Sequence, residues 1–391
     1  MNGFIYDIPT RIYFGDKLGY LTDEIKKYGK RVLLTYGGGS VKKSGLYGKI
    51  LGLLEKAGAE VYELSGIAPN PRIESVRAGA KLCKEKNIDV LLAVGGGSVL
   101  DATKYMAAGA KADFDPWLFF TEKKERKIKD ALPVITVLTL SATGSEMDGG
   151  GVISNPETHE KLGRMEDILR PKASFLNPEL TYTVSAYQTA CGAADILSHI
   201  MEVYFAPEKD LYMLDGVMEA LMKTVIKFAP VAIENPEDYE ARANLMWASS
   251  WAINGFLNGG KSHEWSVHPM EHELSAFYDI THGLGLAILT PRWLKYCLSD
   301  KTAEKVKSFG VKVFGIDESL PAKAAAKVAV KALSDFFFKT LKLPGTLKEI
   351  GIGEENLEIM AKKAVAVKGG FIDGFIKLGE QDVVKIYKMC L

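Results

Sequence analysis

Residue types with a capacity for chemistry are concentrated in one short stretch of this chain. Of its six histidines, His263, His268, His272 and His282 lie in the run Lys261–Gly283, while His159 and His199 stand apart. Upstream, Asp195 and His199 are four residues apart in a stretch with helical spacing, so both side chains face one way. His268 precedes Pro269, a residue suited to the first turn of a helix, which places His272 one turn further along. His282 follows Asp279 and opens another apolar helical stretch. One carboxylate with three imidazoles is a donor set suited to Fe²⁺ or Zn²⁺. It leaves room for a substrate oxygen, as catalytic metal sites do. Taken singly, Asp195 and His199 would read as a surface pair and each histidine as a packing residue. The clustering beside apolar segments favours a metal.

A second chemistry is written in the glycines, of which there are 38. Gly37-Gly38-Gly39-Ser40 and Gly95-Gly96-Gly97-Ser98 each follow an apolar run. Backbone N–H groups in such turns approach phosphates closely, and a following helix N-terminus adds partial positive charge. Neither run is a GxGxxG fingerprint or a P-loop, and either alone reads equally well as a tight turn needing positive φ. Two of them ending strands of one sheet favour phosphate binding. The Ser141–Glu146 segment, rich in small hydroxyl residues, reads as a groove lining or as a helix cap.

These groups need a scaffold. Residues 31–36, 60–64, 88–94 and 133–138 read as strands, and 47–57 and 72–87 as helices. That alternation predicts βαβ units and a mostly parallel, Rossmann-like sheet, with ligands at the strand ends. Beyond residue 185 the stretches 186–206, 212–231, 238–258 and 321–341 carry apolar residues at helical spacing, and strand runs are scarce. The expected organisation is an α/β domain over 1–184 and an all-α domain over 185–391. The charged run 122–129 reads as a solvated loop or helix end.

Composition narrows the function classes. The chain is 47% hydrophobic and 25% charged, with 49 basic and 49 acidic residues. Disorder is excluded, and no basic footprint for nucleic acid or a membrane surface is expected. No apolar run has the length of a membrane span, and the start lacks the pattern of a secretory signal. Cys83, Cys191, Cys297 and Cys390 are scattered without a CxxC pair, which suits a reducing cytoplasm.

Five segments together resemble the iron-containing (group III) alcohol dehydrogenase family, nearest its butanol dehydrogenase-like branch. They are Thr35–Ser40, Gly95–Asp101, Ala142–Glu146, Gly192–His199, and His268–His272 continuing through Thr281–Gly283. The resemblance covers nearly the whole chain. It implies a dehydroquinate synthase-like fold, with a dinucleotide-binding α/β domain, a helical metal-binding domain and the active site between them. It implies Asp195, His199, His268 and His282 as metal ligands, with His272 beside the metal. It implies that Gly95, Gly96, Gly97 and Ser98 hold the pyrophosphate, near Asp101. Thr139, Thr143, Asp148, Lys161, Leu180 and Val184 would fall along the cofactor groove, and Asn70 at its adenosine end. A homodimer is expected. Asp148 and Ser185 depart from the residues usual in the family, Asn and Pro, which bears on the cofactor contacts and not on the metal.

The implied reaction is hydride transfer between NAD(P)H and a small, apolar primary alcohol or aldehyde. A divalent metal lowers the pKa of a bound hydroxyl, and the resulting alkoxide expels hydride to the nicotinamide; His272 is the candidate proton relay. Dinucleotide folds that select NAD place a carboxylate on the ribose 2′-OH. Here Gly37, Gly38, Gly39 and Ser40 are followed by Val41, Lys42 and Lys43, so NADP(H) is expected over NAD(H), and Gly39→Asp is expected to weaken NADPH far more than NADH. A lyase of the dehydroquinate synthase type is the alternative on the same fold. It would need cationic residues for a polyanionic substrate, where this chain has Trp251, Phe256, Trp265 and Phe277. A non-enzymatic nucleotide- or metal-binding protein is the third reading.

Overall fold

The computed structural model describes residues 3–207, 211–261 and 265–391, and the chain divides into two units, Asp7–Val184 and Ser185–Leu391. A short N-terminal piece ending at Tyr6 groups with the second unit and not with the sheet that follows it. The Tyr6 ring packs edge-on against Phe256, centroids 5.8 Å apart.

The first unit is built on a six-stranded parallel sheet. Its strands are β1 (Arg11–Phe14), β2 (Arg31–Tyr36), β3 (Glu60–Leu64), β4 (Val90–Gly95) and β5 (Val134–Leu138), then β8 (Ala173–Leu176) after a hairpin of β6 (Gly150–Asn155) and β7 (Glu160–Met165). The sheet order is β1-β8-β5-β4-β2-β3, and β6 and β7 form a separate antiparallel ribbon. Helices α1 (Leu21–Lys26), α2 (Ser40–Lys43), α3 (Leu46–Ala57), α4 (Ile73–Glu85), α5 (Gly97–Lys111) and α6 (Leu118–Thr121) connect them. Strands β4 and β5 are buried along their whole length, as expected where helices cover both faces of a parallel sheet. The chain winds from β2 outward to β3, then returns to β4 and continues the other way. The switch point of this topology, where open α/β sheets bind ligands, therefore falls between β2 and β4. Both glycine runs sit at that place.

Four strands are not visible in the sequence pattern. Strands β1 and β8 span four residues each, too short to show a period. Strand β6 begins with two glycines and β7 is largely polar, because the ribbon lies outside the main sheet.

Among its described residues the second unit is helical: α7 (Ala186–Tyr204), α8 (Tyr212–Glu234), α9 (Tyr239–Ile253), α10 (Val267–Tyr278), α11 (His282–Tyr296), α12 (Ala303–Phe314), α13 (Ala322–Asp335), α14 (Leu357–Val367) and α15 (Glu380–Met389). Helix α7 starts where Ser185 Oγ accepts from Gln188 N, a standard N-cap. From Thr189 to Tyr204 it is buried throughout, so it is the central post of this unit. Helix α11 lies against it at Gly283, where a Cβ would stand 2.6 Å from the Cys191 carbonyl carbon. Only glycine permits that approach, and the residue before it is His282. No helix among the described residues is long and apolar enough to cross a membrane.

Candidate metal centre and cofactor turns

In the helical unit, Asp195, His199 and Glu202 occupy positions i, i+4 and i+7 of α7, one buried face. Helix α10 contributes His268, Glu271 and His272, and α11 contributes His282 at its first residue. The turn between α10 and α11 is short because Asp279 adopts φ 51° as a left-handed C-cap. Three imidazole Nε2 atoms converge on Asp195 Oδ1: His199 at 3.4 Å, His282 at 3.7 Å and His268 at 3.9 Å. The ligand atoms of Asp195, His268 and His282 lie within 4.8 Å of one another. His199 stands slightly outside this tightest group, its ring stacked on His268 with centroids 4.9 Å apart.

The donor set fits a divalent cation. Asp195 Oδ1 and His268 Nε2 are buried without a hydrogen-bond partner among the described residues, which costs stability unless something else binds them. Burial opposes ionisation of Asp195. The charge of His199, then the nearby imidazoles of His268 and His282, outweigh it and hold the carboxyl well below the usual carboxylate range. At His268, burial disfavours the imidazolium, but the Glu202 and Asp195 carboxylates raise it to about 9. Positive charge is thus favoured where the four side chains meet.

Two residues that sequence reasoning passed over complete the geometry. Glu202 pairs with His268 Nδ1, and Glu271 with His282 Nδ1. Both carboxylates are buried, Glu271 completely. Glu202 also accepts from the backbone N–H groups of Ser266, Val267 (2.8 Å) and His268 (3.2 Å), capping α10 from another helix. The available signals were the i+7 position of Glu202 on the Asp195/His199 face and a charged residue enclosed in His268-Pro-Met-Glu-His272.

His272 is half-buried, its ring 5.7 Å from His282 and 6.1 Å from His268. His159 lies on the exposed turn of the β6–β7 ribbon, and His263 falls outside the described residues. The aromatic residues separate. Trp265 packs edge-on against His268 and His199 at 4.5 and 5.5 Å. Trp251 and Phe256 contact each other at 5.5 Å, and Phe277 packs with Tyr278 at 6.4 Å.

In the sheet unit, Gly95 closes β4, Gly96 caps α5, and Gly97 and Ser98 form its first turn. Asp101 and Asp148 are buried ties. Asp101 accepts from Ser145 Oγ (2.6 Å) and Val152 N (2.9 Å), while burial, chiefly, raises its pKa to about 6. Asp148 Oδ1 accepts from Gly150 N at 2.7 Å and from the wholly buried Lys104 at 2.8 Å. Lys161 donates to Asn70 Oδ1 at 3.0 Å, joining β7 to the loop after β3, where Asn70 takes φ 50°. Thr139 follows β5, its N–H bonded to the Gly95 carbonyl at 3.0 Å; Thr143 lies against Gly97. Leu180 sits in a 3₁₀ turn, Pro178–Thr181, and Val184 ends the unit, its N–H bonded to Thr181 O at 3.1 Å.

The first turn departs from expectation in two respects. Gly39 has φ 119°, so any side chain there strains the backbone, and an Asp at Gly39 would test strain as well as charge. Gly38 is exposed with open space around it and an ordinary φ. A carboxylate also stands beside the end of β2, although none follows it in sequence: Glu63 accepts from the hydroxyls of Tyr36 and Tyr47, at 2.7 Å each. Lys42 sits over the same two rings, 5.2 and 4.7 Å from their centroids.

Comparison with known proteins gives the family. Residues 9–178 match the iron-containing alcohol dehydrogenase model, and 189–391 match the model of the C-terminal region of the Fe-containing alcohol dehydrogenase family. NADH-dependent butanol dehydrogenase A of Clostridium acetobutylicum is 50% identical over 99% of both chains. The NADPH-dependent aldehyde reductase YqhD of Escherichia coli is 37% identical over 93% of each. A crystal structure of NADH-dependent butanol dehydrogenase A from Thermotoga maritima superposes with a TM-score of 0.94 at 38% identity, covering 100% of this chain and 99% of that one. The chain belongs to the iron-containing alcohol dehydrogenase family. It is an NAD(P)-dependent oxidoreductase that interconverts alcohols and aldehydes, which sets aside the lyase and non-enzymatic readings.

Proposed function

We propose that this enzyme transfers a hydride between NADP(H) and a small, apolar primary alcohol or its aldehyde, with one divalent ion held by Asp195, His199, His268 and His282. The observation that carries the reading is the convergence of three Nε2 atoms on Asp195 Oδ1, at 3.4–3.9 Å, in a buried setting. A divalent ion so held supplies electrophilic polarisation of a carbonyl or hydroxyl oxygen. The donor set suits Fe²⁺, with Zn²⁺ as the alternative. The chain's own residues do the rest. Trp265 packs on two of the ligand rings and supports an apolar substrate. His272, one turn from His268, exchanges a proton with the substrate oxygen. Gly95–Ser98, at the N-terminus of α5, hold the pyrophosphate through backbone N–H groups and the helix dipole.

Preference for NADP(H) is supported by the turn after β2. Gly38 leaves open space, Ser40 offers a hydroxyl, Lys43 adds charge, and Glu63 is engaged by two tyrosines. The butanol dehydrogenases compared above are described as NADH-dependent and the aldehyde reductase as NADPH-dependent, so relatives use both. The four cysteines are buried free thiols, which supports a reducing, cytoplasmic setting; a homodimer is the assembly we propose. Metal analysis of the purified protein, alongside NADPH and NADH oxidation with a panel of aldehydes, tests the whole reading. One bound ion per chain and aldehyde-dependent loss of absorbance at 340 nm, greatest with apolar aldehydes, are expected. Full turnover by metal-free protein would overturn it.

A further inference from the structure

A neutral imidazole carries one N–H, and which nitrogen carries it is set by what the other atoms around the ring accept. At His268 and His282 the Nδ1 atom faces a buried carboxylate, Glu202 and Glu271 respectively. An ionised carboxylate only accepts, so the proton is placed on Nδ1 and the Nε2 lone pair is left facing Asp195 Oδ1. The opposite tautomer would present an N–H to Asp195 and close the site to a cation. We propose that Glu271 is a positioning residue that sets the tautomer and ring angle of His282, and so the affinity of the site for a divalent cation. Glu202 does the same for His268 while also holding the start of α10. This rests on the metal reading above.

The two carboxylates differ in a way that makes the idea testable. Both Glu202 oxygens are committed to donors: Oε1 to His268 Nδ1 and N, Oε2 to Ser266 N and Val267 N. An amide at Glu202 would turn its NH₂ onto an N–H group whichever way it faced. Glu271 meets His282 through Oε2 and the Ser275 hydroxyl through Oε1. Ser275 Oγ also lies 3.3 Å from the Ile280 carbonyl, so its proton has another acceptor. Gln at Glu271 can therefore keep its carbonyl on His282 Nδ1 and donate its NH₂ to Ser275. The backbone leaves room for this side chain because Gly285 faces it: a Cβ there would stand 2.8 Å from Glu271 Cγ.

The experiment uses the full chain with Zn²⁺ alone, its affinity read by chelator competition, and imidazole ¹⁵N spectra of the metal-free protein. Recorded above pH 9, where the imidazole of His268 is neutral, the parent should show the Nδ1–H tautomer at both His268 and His282. E271A should lose about 10- to 100-fold in Zn²⁺ affinity, the usual cost of removing a partner behind a ligating histidine, and mix the tautomers of His282 alone. E271Q should keep that tautomer and lose less affinity than E271A, whereas E202Q should lose both affinity and thermal stability. An Nε2–H tautomer at His282 in the parent would overturn the proposal without any variant, which covers the case of an unfolded E271A. Unchanged Zn²⁺ affinity in E271A, with affinity abolished in H282A, would overturn it while leaving the metal site standing. A parent that binds no Zn²⁺, or binds it equally well without His282, would overturn the metal reading itself.

Discussion

The sharpest consequence of the sheet unit concerns Gly97, the first residue of α5. A Cβ placed there would stand 2.8 Å from Thr143 Cβ and closer still to Thr143 Oγ1 and Cγ2. Those atoms belong to a short, β-branched side chain that has little freedom to swing away. Its Oγ1 is also held by the Ser145 N–H at 3.2 Å. Gly97→Ala must therefore displace the Thr143 loop or push back the N-terminus of α5, the two features assigned to the cofactor. Overpacking of this size costs about 1–3 kcal/mol. If it falls on the bound state, that is about 5- to 150-fold in cofactor affinity at 1.36 kcal/mol per decade. The assay is titration of nicotinamide fluorescence for the parent, Gly97→Ala, Thr143→Ala and the double variant, with thermal melts beside each. Thr143→Ala removes the two nearest obstructing atoms, Oγ1 and Cγ2, and leaves only Cβ, so the double variant should regain part of what Gly97→Ala loses, giving a clearly non-additive cycle. Parent-like affinity and melting in Gly97→Ala, or strictly additive losses, would refute the claim that this glycine exists to let Thr143 lie against the helix start.

What could be read from the sequence followed from how local each signal is. Strands β2, β4 and β5 announce themselves as unbroken apolar runs because both their faces are buried. The glycine turns announce themselves because backbone approach needs particular residue types. The strand order was not legible, since nothing in the β3 sequence says on which side of β2 it pairs, yet that order puts both glycine turns at the switch point. Asp195 and His199 were legible as a pair because a helix repeats locally. Their meeting with His268 and His282 depends on α10 and α11 packing against α7, which Gly283 permits through a contact with Cys191, distant in sequence. Glu202 and Glu271 were missed for a related reason: a charged residue in an apolar stretch reads as a solvated face until its partner is seen. Glu63 shows the same limit from the other side. The turn after β2 looked free of carboxylates along the chain, and the neighbouring strand supplies one.

Replacing His268 or His282 by Ala should remove both bound metal and activity, checked by metal analysis and aldehyde-dependent NADPH oxidation. His272→Ala should keep the metal and lose about 10²–10⁴-fold in rate, the span of general acid–base catalysis; loss of metal would make His272 a ligand, and an unchanged rate would make it a packing residue. The Arg31 side-chain hydrogen bond lowers the pKa of Asp89 to about 2, and the Lys30 and Arg31 N–H groups add to this. A depressed carboxyl contributes stability above its ordinary pKa near 4 and loses it as pH falls through 2. Asp89→Asn should therefore melt below the parent at pH 7, and the gap should close in acid; a gap independent of pH would refute the ion pair's role. Cofactor choice is the last test, and the structure moves it by one residue. At Gly39, φ 119° makes any substitution a strain experiment. Gly38→Asp instead adds a carboxylate in open space at an unstrained position, so its effect is electrostatic. The parent should show a higher kcat/KM with NADPH than with NADH. Gly38→Asp should cut the NADPH value far more than the NADH value, because only the former brings a 2′-phosphate to that carboxylate. A tenfold or greater NADH preference in the parent would mean that Glu63, and not the empty turn, governs the ribose. Tyr47→Phe, which removes one of the two hydroxyls holding Glu63, would then shift the ratio while Gly38→Asp left it alone.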